Sequence, residues 1–159
     1  MRKVTEISPT QDSCPIELRH LRVAAYCRVS TESEEQTSSI ELQVRHYLHL
    51  ISVNFNWENA GIFAERATGL KMKDRPEFRR MIAQCRKKRI DLILTKSISR
   101  FGRNTLDMLR SLRDLFGLGV EAYFEQEDMW QNEQRIQILL TAYCALAQAE
   151  SEDMIRNIK

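Results

Sequence analysis

The chain has 159 residues and is poor in the side chains on which several kinds of small protein depend. Its four cysteines, Cys14, Cys27, Cys85 and Cys144, stand far apart. No C-x-x-C pair seeds a zinc site and no close-spaced framework suggests disulfides, so they read as reduced packing thiols. Apolar residues never run to the roughly 18 in a row that a membrane-crossing helix needs. The opening MRKVTEISPTQDSCP lacks the apolar core of a secretion signal. A cytoplasmic protein with no membrane partner is expected. Only five glycines occur, and neither G-x-x-x-x-G-K-[ST] nor G-x-G-x-x-G is among their settings, so nucleotide binding by the usual glycine loops is unsupported. Histidine is just as scarce: His20, His46 and His49 are the whole supply. None stands beside a serine nucleophile candidate, and the i, i+3 spacing of His46 and His49 offers only a weak metal pair. No metal and no cofactor are expected.

What is present has the balance of one globular domain, 43% hydrophobic and 29% charged, with a net charge of +2. That total conceals an uneven distribution. Residues 1–65 carry a net −3, residues 66–103 a net +10 and residues 104–159 a net −5. The middle third attracts phosphate if folding gathers it on one face; the alternative is a solvated helix surface.

Hydrophobic periodicity divides the chain. Residues 1–21 show no period and read as a mobile leader. Val23–Val29 is a short apolar run of buried-strand type. Ile40, Val44, Tyr47, Leu48 and Ile51 recur at helical spacing from Ser39 to about residue 52. Trp57–Ala64 follows as a second strand weakened by Asn59 and Gly61, and residues 65–74 read as an exposed loop. Pro76 opens a helix with apolar Phe78, Met81, Ile82 and Cys85. Ile90–Thr95 is a third strand. Asn104 caps a helix with the apolar face Leu106, Leu109, Leu112 and Phe116, closed by Gly117 and Gly119 ahead of a fourth strand at Val120–Gln126. From residue 133 to Lys159 a helical period is unbroken, and no C-cap ends it. The expected fold is α/β: a mostly parallel central sheet of about four or five strands, flanking helices and a long C-terminal helix. Residues 1–21 form the leader, 22–132 the core and 133–159 the start of the long helix, about 40 Å of it at ~1.5 Å per residue. Because that helix overruns any sheet of this size, it is expected to serve association or DNA contact, and the native protein to continue past Lys159.

In open α/β sheets the functional crevice lies outside the carboxyl ends of the strands. Two polar clusters fall there. In Tyr26-Cys27-Arg28-Val29-Ser30-Thr31 the strand period places Tyr26, Arg28 and Ser30 on one side. In Lys96-Ser97-Ile98-Ser99-Arg100-Phe101-Gly102-Arg103-Asn104, a helical turn aims Arg100 and Arg103 alike. A hydroxyl beside several guanidinium forks suits phosphoryl transfer: serine oxygen attacks phosphorus while planar cations hold the non-bridging oxygens. Taken singly, a serine after a strand is also a turn or cap residue, and an Arg-x-x-Arg turn is also a solvated face.

At these residues the chain resembles the serine recombinases, the resolvase and invertase family of site-specific DNA recombinases. The resemblance covers roughly residues 22–159 and rests on four ordered blocks: residues 26–31, Phe63-Ala64-Glu65-Arg66-Ala67-Thr68-Gly69, Ser99–Asn104 and Ala147-Gln148-Ala149-Glu150. Ser-Arg-Phe-Gly-Arg-Asn, with Glu150-Ser151 later, looks most like the large serine recombinases of phages and transposons. The resemblance implies a bacterial or phage-encoded enzyme in which Ser30 attacks a DNA phosphodiester and becomes joined to a 5′ phosphate, freeing a 3′ hydroxyl for later strand exchange. It implies that Arg28, Arg100 and Arg103 hold the scissile phosphate, that Arg75 joins them when the site assembles, and that Tyr26, Gln43, Glu65 and Ser99 support them. Ser99 stands where resolvases usually carry aspartate. Lys71, Lys73 and Lys96 are expected against double-stranded DNA. A homodimer in solution or on DNA and a homotetramer in the synaptic complex are implied, with Ile136–Ile158 forming the contacts. Two other readings compete: a catalytically silent recombinase-like module for assembly on DNA, and a small α/β phosphotransfer enzyme.

Overall fold

The structure, a computed structural model, describes residues 20–29, 35–66, 75–101, 105–131 and six helical positions between 134 and 145. Five strands and three helices alternate: β1 (Leu21–Val29), α1 (Glu35–Val53), β2 (Trp57–Arg66), α2 (Pro76–Arg86), β3 (Leu92–Thr95), α3 (Thr105–Gly117), β4 (Glu121–Phe124) and β5 (Met129–Trp130). A 3-10 turn at Ile98–Arg100 follows β3. The sheet order is β2-β1-β3-β4-β5. The first four strands are parallel, and β5 pairs antiparallel with β4. The expected mostly parallel sheet with flanking helices is therefore what forms.

Strand alternation sorts the core into two layers. Val23, Ala25, Cys27 and Val29 face α1, where Ile40, Tyr47 and Ile51 meet them with Leu92 and Leu94. Ala24 and Tyr26 face the other way, onto Phe78, Met81 and Cys85 of α2 and Leu109, Leu112 and Leu115 of α3. Successive strand side chains point to opposite faces, so one nine-residue strand supplies both cores. The chain steps from β1 to β2 in one direction and from β3 to β4 in the other. The reversal falls between β1 and β3, which is where an open α/β sheet leaves a crevice outside its strand ends.

Several sequence expectations need correction. Residues 65 and 66 are not loop but the last two residues of β2, and Glu65 is buried. A carboxylate at a strand end carries no apolar signal, so pattern alone ends the strand early. α1 begins at Glu35, four residues before Ser39. Leu48 and Phe116 belong to the expected apolar faces, yet each is more than 40% exposed, because a helix lying on a sheet buries only a narrow stripe. Gly61, at φ 132°, sits at the register irregularity of β2 opposite Ala24, a conformation that favours glycine. Leu21, expected as the end of the leader, is instead the first residue of β1. Asn104, residues 1–19 of the leader and most of the expected long helix lie outside the described residues; positions 134, 137, 138, 141, 142 and 145 are helical. No helix among the described residues is long and apolar enough to cross a membrane.

Cys27 and Cys85 are fully buried, and burial pushes each thiol up to about 12. A raised value leaves the neutral thiol, which is not the nucleophile, dominant at about pH 8. Both are expected to resist maleimide in the native protein and to react on unfolding, as peptide mass spectrometry would read; labelling of the native protein at either would contradict this packing.

Candidate active site at the carboxyl edge of the sheet

Arg28 is the penultimate residue of β1, on the Tyr26 side, and Arg100 closes the 3-10 turn after β3. They meet across the β1/β3 crevice. An Arg28 Nη2 donor lies 3.4 Å from the Ser99 carbonyl, and the Nε atoms of Arg28 and Arg100 are buried without a hydrogen-bond partner. Burial lowers the Arg28 pKa from its ordinary value, with the Arg75 and Arg100 charges adding to the effect and Tyr26 and Glu65 opposing it. Guanidinium nevertheless stays charged. Two cations held together with spare donors form a receptacle for an anion. The Arg100 charge also works against the upward push of burial on Tyr47 and Cys27.

Behind this pair is a buried cluster. Pro76 keeps Arg75 out of helical geometry (φ −121°, ψ 66°) and so aims it back across the sheet end. The Tyr26 hydroxyl donates to Glu65 Oε2 at 2.7 Å and accepts from Arg75 Nε and Nη2 at 3.2 and 2.9 Å. Burial raises the Tyr26 phenol, so it stays protonated and able to donate. Glu65 Oε1 accepts the Glu77 backbone N–H at 3.1 Å, and its Oε2 lies 3.9 Å from Arg75 Nε. Glu65 and Arg75 are 4% and 3% exposed. Removing the carboxylate leaves a buried cation and two donors without their acceptor. Glu65→Ala is accordingly expected to destabilise the fold by about 3–5 kcal/mol. A urea midpoint unchanged from wild type would contradict the burial described.

The turn carrying Ser99 and Arg100 is held from the other side by the segment after β4. Gln126 N–H donates to the Lys96 carbonyl at 2.8 Å, and the Glu127 carboxylate accepts the Ile98 N–H at 3.3 Å. Glu125 in turn accepts the Tyr47 hydroxyl at 2.9 Å and meets His46 Nε2 at 2.6 Å. Sequence reasoning missed Glu125 and Glu127: their partners lie 78 and 29 residues away, and no local motif announces the pairing. His46 thus faces a carboxylate, and among the described residues no group of three or more His, Cys, Asp or Glu converges as a metal site.

Of the other expected site residues, Gln43 is half-buried, with its Oε1 unpartnered and its Nε2 3.4 Å from the Ser39 carbonyl. Ser99 is exposed, with its hydroxyl 2.9 Å from that of Ser97. Lys96 is exposed and lines a pocket of about 470 Å³ with Gln43, His46, Tyr47 and Glu125. Ser30, Lys71, Lys73 and Arg103 lie outside the described residues. Among the described residues of the basic middle third, Arg75 is buried, while Arg79, Arg80, Arg86, Lys87, Lys88 and Arg89 are exposed along α2 and its exit.

Comparison with known proteins agrees with this architecture. The chain is 29% identical over 130 residues to the transposon Tn3 resolvase of Escherichia coli, a match covering 82% of this chain and 64% of that protein. The chain thus spans just under two thirds of the length of that relative. A resolvase family site-specific recombinase from Streptococcus pneumoniae superposes with a TM-score of 0.66 at 25% identity, covering 86% of this chain and 92% of that one. The N-terminal catalytic domain of TP901-1 integrase shares the fold, with a TM-score of 0.59 at 23% identity, over 82% of this chain and 97% of that one. The family profile described as "Resolvase, N terminal domain" matches residues 23–159. With a family match that spans residues 23–159, the chain belongs to the resolvase N-terminal domain family of serine recombinases.

Proposed function

We propose that this chain is the catalytic domain of a site-specific DNA recombinase that cuts DNA through a covalent serine intermediate. The observation that carries the proposal is the pair of buried, unpartnered guanidinium Nε atoms on Arg28 and Arg100, at the strand ends where the sheet opens a crevice. Ser30 is two residues beyond Arg28 in the chain. Its oxygen attacks phosphorus, the bond from phosphorus to the 3′ oxygen breaks, and the 3′ oxygen leaves with a proton as a hydroxyl. The energy of the broken ester is kept in the new serine ester, so a different 3′ hydroxyl can reverse the step without nucleotide hydrolysis. Arg28, Arg100 and Arg103 neutralise the charge that builds on the non-bridging oxygens. Gln43 and Ser99 support them, and Lys71, Lys73 and Lys96 hold the flanking phosphates of duplex DNA, which supply affinity but no sequence reading. Dimers on DNA and tetramers at synapsis complete the assembly, in the bacterial cytoplasm.

A nicked duplex from the borders of the protein's own element tests this through the polarity of the break. Protein is expected on the 5′ side, with a free 3′ end that a polymerase extends. Protein on the 3′ side, or a clean break without protein, would overturn the proposal. Binding to the same DNA without any break would favour the silent assembly module.

A further inference from the structure

Resemblance groups Arg75 with the phosphate-holding arginines, but the geometry separates it from them. All three of its nitrogens are engaged by the protein. Nε and Nη2 donate to the Tyr26 hydroxyl, Nη2 also donates to the Arg100 carbonyl at 2.7 Å, and Nη1 donates to the Phe101 carbonyl at 2.8 Å. Its Cζ lies 4.1 Å from the centre of the Phe78 ring, and Glu65 is the carboxylate beside it. Of the five N–H groups of a guanidinium, four are used within the fold. Arg28 and Arg100 differ: each keeps a buried Nε with no partner. Turning Arg75 onto a phosphate would strip the acceptor Tyr26 of its donors and leave the Phe101 carbonyl unpaired beside a fully buried ring. The two carbonyls that Arg75 grips belong to Arg100 itself and to the residue after it.

We propose that Arg75 is a positioning residue: anchored on the Tyr26 hydroxyl, it clamps the Arg100 and Phe101 carbonyls and so sets where the Arg100 guanidinium points, without itself carrying phosphate charge. This rests on the reading of Arg100 as a phosphate ligand. Tyr26 and Glu65 then form the base of the clamp, and their place at the active site is to hold Arg75.

A neutral scissile linkage separates the two roles. Methylphosphonate lacks one anionic oxygen and relieves the need for a cation facing it. The full-length protein is compared on nicked duplexes carrying either phosphodiester or methylphosphonate at the cleaved step, with adduct formation as the readout. Arg100→Ala is expected to cleave phosphodiester slowly and to recover about tenfold on methylphosphonate. Arg75→Ala is expected to be slow on both, with no recovery. Recovery of Arg75→Ala to the same degree as Arg100→Ala would overturn the clamp. Should Arg75→Ala fail to fold by circular dichroism, Tyr26→Phe decides, since it keeps the ring and removes only the hydroxyl. It is expected to slow cleavage at saturating DNA with unchanged DNA affinity and no methylphosphonate recovery. Cleavage by Tyr26→Phe at the wild-type rate would overturn the clamp. Absence of any wild-type adduct on either substrate would instead overturn the recombinase reading, and the clamp with it.

Discussion

Ser30→Ala is expected to abolish cleavage, with a loss on the order of 10⁴-fold or more, the scale seen when a covalent nucleophile is removed. Arginines can stabilise charge on phosphorus only while something attacks it, and the proposal gives that part to Ser30, two residues beyond Arg28 in the chain. DNA affinity is expected to change little, because phosphate contacts by arginine and lysine supply it. Single-turnover adduct formation and an electrophoretic binding assay separate the two quantities. A variant that still cleaves within about tenfold of wild type would show that the nucleophile lies elsewhere.

The second large effect is expected at the arginine pair. Arg100→Ala should lower the cleavage rate by roughly 100- to 1,000-fold, the loss typical of removing one preorganised donor from developing transition-state charge. Arg28→Ala should fall in the same range. Both retain a buried Nε without a partner, so the fold already bears the cost of holding them there, and a reacting phosphate is expected to relieve it. The turn bearing Arg100 is pinned from two sides, by Arg75 on its carbonyl at 2.7 Å and by Glu127 on the Ile98 N–H at 3.3 Å. Arg100→Lys is expected to recover little, since an ammonium has neither the planar fork nor the same reach. A rate effect below about fivefold for both alanine variants would contradict the receptacle.

The parts of the fold that sequence makes legible are those with a strong local period. The apolar run at Val23–Val29 and the spacing of Phe78, Met81 and Cys85 name their elements because each side chain's burial depends on its own position in the repeat. Two-residue β5 has no room for a period, and its existence depends on the antiparallel pairing of Met129 with Phe124. Glu65 is the sharper case. Local composition puts it in a charged loop, whereas its environment is set by Tyr26, 39 residues before it, and by the backbone of Glu77, 12 residues after. Site residues divide the same way. Arg28 and Arg100 are legible from their places near the exits of two strands. The buried role of Arg75 is not, because it is fixed by partners 49 and 25 residues distant. Identity of the side chain signals arginine chemistry; only the packing tells a clamp from a ligand.

The covalent attachment site is the most direct test of the account. Trypsin cuts after Arg28 and Arg45, so Ser30 is released in a peptide spanning residues 29–45 that also holds Thr31, Ser33, Thr37, Ser38 and Ser39. Nuclease trimming of the trapped adduct followed by fragmentation of that peptide assigns the phosphoryl group to one oxygen. Phosphorylation at Ser30, retaining the 5′ nucleotide residue, is the predicted result. Attachment at another hydroxyl of the same peptide, or at a residue outside it, would contradict the central claim.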